Sequence, residues 1–204
     1  MTELPRIFSE TLPGVRFHSS ARWADYTSMG AGLAGFFLAE PDSMDDLFSV
    51  IAICRKRRIP VFPLGAGTNL IGSDSPLEIC FLKLGNKFRE VEIAGNRIAA
   101  GAGAKLSVLL DFAAEHGFGG AAGLGGIPGT VGGAIRMNAG ANGSEIADFL
   151  VEVEYVSAGT LHRVPVKRDE WRYRTSPLPE DCVVTKAFFR FFPCEPEAER
   201  GLLA

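Results

Sequence analysis

Two glycine-bearing segments carry the residue types and spacing that could hold a ligand. The first, Leu64-Gly-Ala-Gly-Thr-Asn-Leu70, follows an apolar extended stretch. Its short glycines permit close approach, and successive backbone N–H groups can form an anion-binding nest suited to a diphosphate. Thr68 and Asn69 add side-chain hydrogen-bonding capacity; a tight connection after a strand is the plain alternative. The segment lacks the terminal Lys-Ser/Thr of a Walker A loop and the full Gly-x-Gly-x-x-Gly of a dinucleotide-binding unit. The second segment, Gly125-Gly-Ile-Pro-Gly-Thr-Val-Gly-Gly-Ala134, runs on to Met137-Asn-Ala-Gly140. Its apolar anchors, single proline and close glycines can fix a compact path while leaving N–H groups exposed to a ligand. A packed turn or a flexible linker would use the same composition.

The rest of the composition narrows the partners. Lys and Arg number 21 against 24 Asp and Glu, for a formal charge of −3, so no broad basic field gathers polyanions and nucleic acid is not an expected partner. The run Arg55-Lys-Arg-Arg58 follows an apolar helical pattern and reads as a solvated last turn that complements the helix dipole. Cys54, Cys80, Cys182 and Cys194 lie far apart, as do His18, His116 and His162, and no metal-binding spacing emerges. The N-terminus shows no secretion leader and no later stretch is long and apolar enough to span a bilayer, so a cytoplasmic protein without membrane contact is expected.

The elements that must position the two segments are partly legible. At 204 residues and 47% hydrophobic composition, the chain can build one substantial core or two small lobes. Ser43-Met-Asp-Asp46 reads as a capping box for a helix burying Leu47, Phe48, Val50, Ile51 and Cys54. Pro60 ends that pattern, and Val61 to Leu64 is an extended segment leading into the first glycine loop. A buried strand is expected over 79–84, and strands over 89–93 and 97–100 pair across Ala94-Gly-Asn96. Lys105 to His116 forms a helix with Leu106, Leu109, Leu110 and Ala113 on one side, ended by Gly117. Val151 to Val156 and Leu161 to Val164 pair around Ser157-Ala-Gly159, a short helical turn falls at 168–171, and a further strand covers 183–192.

With both loops in place, the sequence resembles the UDP-N-acetylenolpyruvoylglucosamine reductase family. That family's pattern is similar to Leu-Gly-x-Gly-Ser-Asn-Leu in the first loop and to Gly-Ile-Pro-Gly-Thr-Val-Gly-Gly-Ala followed by Met-Asn-Ala-Gly in the second. The likeness continues through Asn142-Gly143, Glu145-Ile146 and Asp148, then Trp171-Arg-Tyr-Arg-Thr-Ser176, and covers roughly residues 24–192. The resemblance implies an α+β, two-lobed FAD-binding domain of the PCMH/MurB-like type, with a small α/β lobe and a larger lobe with antiparallel sheet. The expected division is 1–86, 87–192 and a polar tail over 193–204, with Glu195, Glu197 and Glu199 in solvent. It further implies that Gly65, Ala66, Gly67, Thr68, Asn69 and Leu70 face FAD and its pyrophosphate. Gly126, Ile127, Pro128, Gly129, Thr130, Gly132 and Gly133 would do the same from the second loop, joined by Asn138 and Gly140. In the family NADPH reduces FAD, and an enolpyruvyl UDP-sugar of peptidoglycan precursor synthesis is then reduced. Arg174 is the expected partner of the substrate carboxylate and Tyr173 a positioner of substrate or flavin, since a cation can stabilise charge developing there. An ion pair for Arg174 and a folded aromatic corner for Trp171 and Tyr173 are the structural alternatives.

Departures from the pattern set further expectations. After Tyr26-Thr27 the family continues with a basic residue and paired glycines, where this chain has Ser28-Met-Gly-Ala-Gly-Leu33, and Ala122 stands where relatives often carry Glu. The family also continues past Phe189-Arg-Phe-Phe192 into a domain carrying a proton-donating Ser and a Glu, whereas this sequence stops at Ala204. The expectation is therefore an FAD-binding homologue incomplete for reduction on its own, completed if at all by a second polypeptide. A flavin-free structural or interaction module of the same fold is the alternative.

Overall fold

The structure is a computed structural model that describes residues 4–203, and its chain divides into two compact units, Met1–Lys87 and Phe88–Ala204. The first unit runs α1 (Leu4–Thr11), β1 (Arg16–Arg22), α2 (Trp23–Tyr26), β2 (Gly35–Glu40), α3 (Met44–Lys56), β3 (Val61–Pro63) and β4 (Cys80–Leu82). Its sheet has the order β1-β2-β4-β3; β1 is antiparallel to β2, while β4 is parallel to both β2 and β3. β2 lies inside the sheet with Phe36, Phe37, Leu38 and Ala39 all buried, which is why its apolar residues run on without the alternation of a one-sided strand. Trp23 stacks on Phe36 with centroids 4.1 Å apart and meets Phe81 edge-on at 5.0 Å; Phe8 of α1 packs edge-on against Phe17 at 4.6 Å. Removing a ring such as Phe36 from this packing costs about 3–5 kcal/mol. α3 starts where the sequence indicates, with Ser43 Oγ accepting the Asp46 N–H at 3.1 Å, and buries Leu47, Val50 and Cys54.

The second unit contains β5 (Val91–Ala94), β6 (Arg97–Gly101), α4 (Leu106–Glu115), β7 (Phe118–Gly119), α5 (Val131–Arg136), β8 (Gly140–Ala141), β9 (Ser144–Glu145), β10 (Leu150–Ser157), β11 (Thr160–Pro165), β12 (Val183–Phe189), β13 (Phe192–Pro193) and α6 (Pro196–Leu203). Its main sheet, β11-β10-β12-β6-β5, is antiparallel throughout. The β10–β11 turn uses Ala158 and Gly159, both at positive φ, the geometry that matches the twist of paired strands. α4 buries Leu106, Leu109, Leu110 and Ala113, and Gly117 at φ 75° turns the chain out of it. Together the units give the mixed α/β architecture with antiparallel sheet that the sequence led us to expect.

Three parts of the chain differ from expectation. The strand over 183–192 stops at Phe189; Arg190 N–H turns to the Phe149 carbonyl at 2.8 Å, and Phe192–Pro193 pairs instead with β7. The stretch from 193 onward is not wholly a polar tail, because α6 forms and Glu199 is only 6% exposed. Its Oε1 accepts the Gly120 N–H at 3.0 Å, and a carboxylate given such a donor tolerates burial. Gly119 makes the space, since a Cβ there would lie 2.4 Å from Glu199 Oε2. The glycine-rich passage over 117–143, expected to follow a compact path, also contains a helix, α5, which the glycines at 132 and 133 concealed. No helix among the described residues is long and apolar enough to cross a membrane.

Candidate functional site

The first glycine loop leaves the end of β3 through Leu64, whose N–H donates to the Leu82 carbonyl at 2.7 Å. Gly67 sits at φ 67° against the strand-to-loop segment after α2. A Cβ on Gly67 would fall 1.9 Å from the Tyr26 carbonyl oxygen, so no side chain fits. From that segment Ser28 N–H donates to the Gly67 carbonyl at 3.2 Å, closing a clasp around the loop. Among the described residues no backbone carbonyl engages the N–H groups of Gly65, Ala66 and Gly67, which leaves a short row of donors of the kind a phosphate takes. Thr68 and Asn69 are exposed beside them, while Leu70 packs against the aromatic core of Trp23, Phe36 and Phe81. Leu70 thus anchors the loop in that core.

In the second unit the donors of the glycine loop are divided between two tasks. Val131 N–H and Gly132 N–H donate to the carbonyls of Ala104 and Ala102, both at 2.8 Å, and Gly133 N–H donates to the capping Thr130 Oγ at 3.3 Å. A Cβ on Gly132 would sit 2.9 Å from Ala102 Cβ, so this glycine lets α5 lie close to the chain leaving β6. Expected as ligand contacts, Gly132 and Gly133 have internal roles in the fold. The N–H groups of Gly126, Gly129 and Thr130 are not engaged by backbone carbonyls among the described residues. Gly126, at φ 75°, has open space where a Cβ would be, and Gly129 is at φ 145°. Ile127 N–H closes a turn on the Leu124 carbonyl, and Pro128, the residue after it, is exposed.

Beyond α5 a hollow of about 580 Å³ is lined by Asn138, Gly140, Glu145, Asp148, Arg168, Tyr173 and Arg174, among others. Tyr173 and Arg174 occupy the tip of a two-residue turn closed by reciprocal hydrogen bonds between Arg172 and Thr175, at 3.1 and 3.0 Å. Arg174 takes φ 56°, a conformation that costs an L-residue roughly 1–2 kcal/mol and that glycine would adopt freely. Tyr173 is 84% exposed while its neighbour Trp171 is buried, so the aromatic pair is split between packing and presentation. Ser176 turns inward; its Oγ is buried without a hydrogen-bond partner and does not line the hollow. Gly140 admits the β8–β9 hairpin, since a Cβ would meet the Ser144 carbonyl oxygen at 2.6 Å.

An ionic group that sequence reasoning assigned no role lines part of this hollow. Arg168 Nη2 donates to Glu145 Oε2 and Arg168 Nε to Asp148 Oδ1, each at 2.6 Å. Burial alone would raise the Asp148 carboxyl, but the Glu145 N–H and the Arg168 guanidinium outweigh it and hold the group below its ordinary value. Glu145 and Asp148 form a capping box around the 3-10 turn Ile146–Asp148. Their spacing of three was the available signal; Arg168, far along the chain, left none.

Comparison with known proteins accords with this arrangement. The FAD binding domain family matches residues 37–164. The UDP-N-acetylenolpyruvoylglucosamine reductase of Cereibacter sphaeroides is 40% identical over 172 residues, 82% of this chain and 54% of that protein. The crystal structure of the corresponding reductase from Thermus caldophilus aligns with a TM-score of 0.79 at 30% identity, covering 93% of this chain and 67% of that one. A cholesterol oxidase from Brevibacterium sterolicum shares the fold at TM-score 0.64 and 12% identity, over 89% of this chain and 38% of the oxidase. The chain spans about half the length of the first of these reductases. It belongs to the FAD binding domain family, as a relative of the UDP-N-acetylenolpyruvoylglucosamine reductases.

Proposed function

We propose that this chain binds FAD and serves as the flavin-binding part of a reductase that uses NADPH and acts on an enolpyruvyl UDP-sugar in peptidoglycan precursor synthesis. The observation that carries the reading is that each unit holds a glycine loop with N–H donors that no backbone carbonyl among the described residues takes, Gly65 to Gly67 in one and Gly126, Gly129 and Thr130 in the other. Such rows fit a pyrophosphate, whose oxygens accept several short hydrogen bonds at once. FAD, when bound, supplies the ring that carries hydride. Around the hollow, Arg174 meets the substrate carboxylate and Tyr173 orients the sugar nucleotide. Reduction also calls for an acid placed to give up a proton. Asp148 is held ionised by Arg168, and Glu145 Oε2 already accepts from both Arg168 and Asn138, so neither carboxylate is a ready donor. These 204 residues therefore bind FAD more readily than they turn over substrate, and a second polypeptide supplying the acid would complete the reaction.

The first test is the absorbance spectrum of gently purified protein, before and after reconstitution with FAD. A flavin spectrum is expected; its absence after reconstitution would leave a flavin-free module of the same fold. The second is NADPH oxidation with product formation by FAD-loaded protein, against a full-length reductase as control. Robust turnover by the chain alone would overturn the view that a second polypeptide must supply the acid. Turnover that appears only with a second chain would support a divided site.

A further inference from the structure

Asn138 is 1% exposed and held at φ 39°, a backbone conformation Asn tolerates better than most residues. Its side chain is fully used. Nδ2 donates to Glu145 Oε2 at 2.8 Å and to the Arg172 carbonyl at 3.0 Å, and Oδ1 accepts the Ala147 N–H at 3.4 Å. The Arg172 carbonyl is also the acceptor for Thr175 N–H, the bond that closes the turn presenting Tyr173 and Arg174. One oxygen thus joins that turn to a continuous chain of hydrogen bonds, charge-assisted from Glu145 onward: Arg172 carbonyl, Asn138, Glu145, Arg168 and Asp148, with Asp148 Oδ2 accepting the Glu145 N–H at 2.7 Å. Asn138 heads this network from a buried position while Arg168 at its far end is about half exposed, and a turn with an L-residue at positive φ needs such outside restraint to persist.

We propose that Asn138, backed by Glu145 and Arg168, is a positioning residue that clamps the Arg172 carbonyl and so sets the direction in which Tyr173 and Arg174 enter the hollow. It differs from the direct cofactor contact expected for Asn138 from sequence, and the FAD affinity of the variants tells the two apart. The inference rests on the reading that Arg174 meets the substrate carboxylate, and its test separates the two.

Asn138→Ala, Glu145→Ala, Glu145→Gln and Arg174→Ala are compared as full chains loaded with FAD. Three quantities are read: the dissociation constant for FAD, that for UDP-N-acetylenolpyruvoylglucosamine, and amide hydrogen exchange across 172–175. Removing the bond to the Arg172 carbonyl in Asn138→Ala, or the Glu145 acceptor that holds Asn138 in place in Glu145→Ala, should speed that exchange and weaken the sugar nucleotide on the order of tenfold, leaving FAD affinity unchanged. Glu145→Gln keeps an acceptor for Asn138 and should restore both. In an Arg174→Ala background, Asn138→Ala should weaken the sugar nucleotide no further. Unchanged exchange across 172–175 in both alanine variants would overturn the clamp, as would parallel loss of FAD, or failure of Glu145→Gln to rescue. Wild-type sugar-nucleotide affinity in Arg174→Ala would instead sink the substrate reading, and the exchange result would still decide the clamp.

Discussion

Gly67→Ala is the sharpest single perturbation of the first loop, because the obstacle is the Cβ itself. That atom would lie 1.9 Å from the Tyr26 carbonyl oxygen and 2.8 Å from Thr27 Cα, both backbone, so no rotamer relieves it. Holding an L-residue at the observed φ of 67° costs about 1–2 kcal/mol. Moving the loop away from Tyr26 also releases the Ser28 N–H to Gly67 carbonyl bond, worth about 0.5–1.5 kcal/mol. A total of about 1.5–3.5 kcal/mol charged against the binding-competent loop raises the FAD dissociation constant roughly 10- to 400-fold. The assay is equilibrium flavin titration, with circular dichroism and thermal melting run in parallel to show that the variant folds. Ala52→Val, on the exposed face of α3, is the control and should cost no more than about 0.7 kcal/mol of stability through helix propensity. Equal FAD affinity for folded wild type, Gly67→Ala and Ala52→Val would refute the role given to this loop.

Gly129→Val, at φ 145°, should likewise weaken FAD more than the Ala52→Val control does, as the same titration would show. Thr130→Ala removes the cap on the Gly133 N–H and should lower stability by about 1 kcal/mol in a denaturant melt, with Thr130→Ser close to wild type. Asp148 has a depressed folded-state pKa, so its stabilising contribution is complete above the unfolded value of about 3.9 and disappears as pH falls through the lower folded value. Asp148→Asn should therefore lower stability at neutral pH and flatten the acid limb of the stability profile; an unchanged acid limb would rule the linkage out.

Local chemistry was the legible part of this sequence. The Ser43 cap, the β5–β6 hairpin around Gly95-Asn96 and the Gly117 stop each depend on residues within a few positions of one another, and each is present. β1 was invisible because Arg16 to Arg22 is mostly exposed, and β2 because burial on both faces removes the alternation that marks a strand. α5 was hidden by Gly132 and Gly133, poor helix formers, of which Gly132 is required by Ala102 lying against it. For the site, the two loops could be picked out by composition, but which of their N–H groups remain available could not. That depends on the carbonyls of Ala102 and Ala104, which reach the loop only through the fold. The ionic group lining part of the hollow was illegible for the same reason, since Arg168 pairs with two acids far back along the chain.

The strand order of the second unit also bears on how the chain is made. β6 borders β5 on one side and β12 on the other, with Gly101 opposite Lys186. During synthesis the β5–β6 hairpin therefore leaves the ribosome with one open edge, and its partner follows about 85 residues later, a delay of roughly 4–17 s at ordinary translation rates. Throughout that interval the edge Ile98-Ala99-Ala100, buried in the finished protein, can recruit any passing strand. Aggregation of nascent chains should thus be more sensitive to slowed translation between β6 and β12 than to slowing after Phe189, when the sheet has closed.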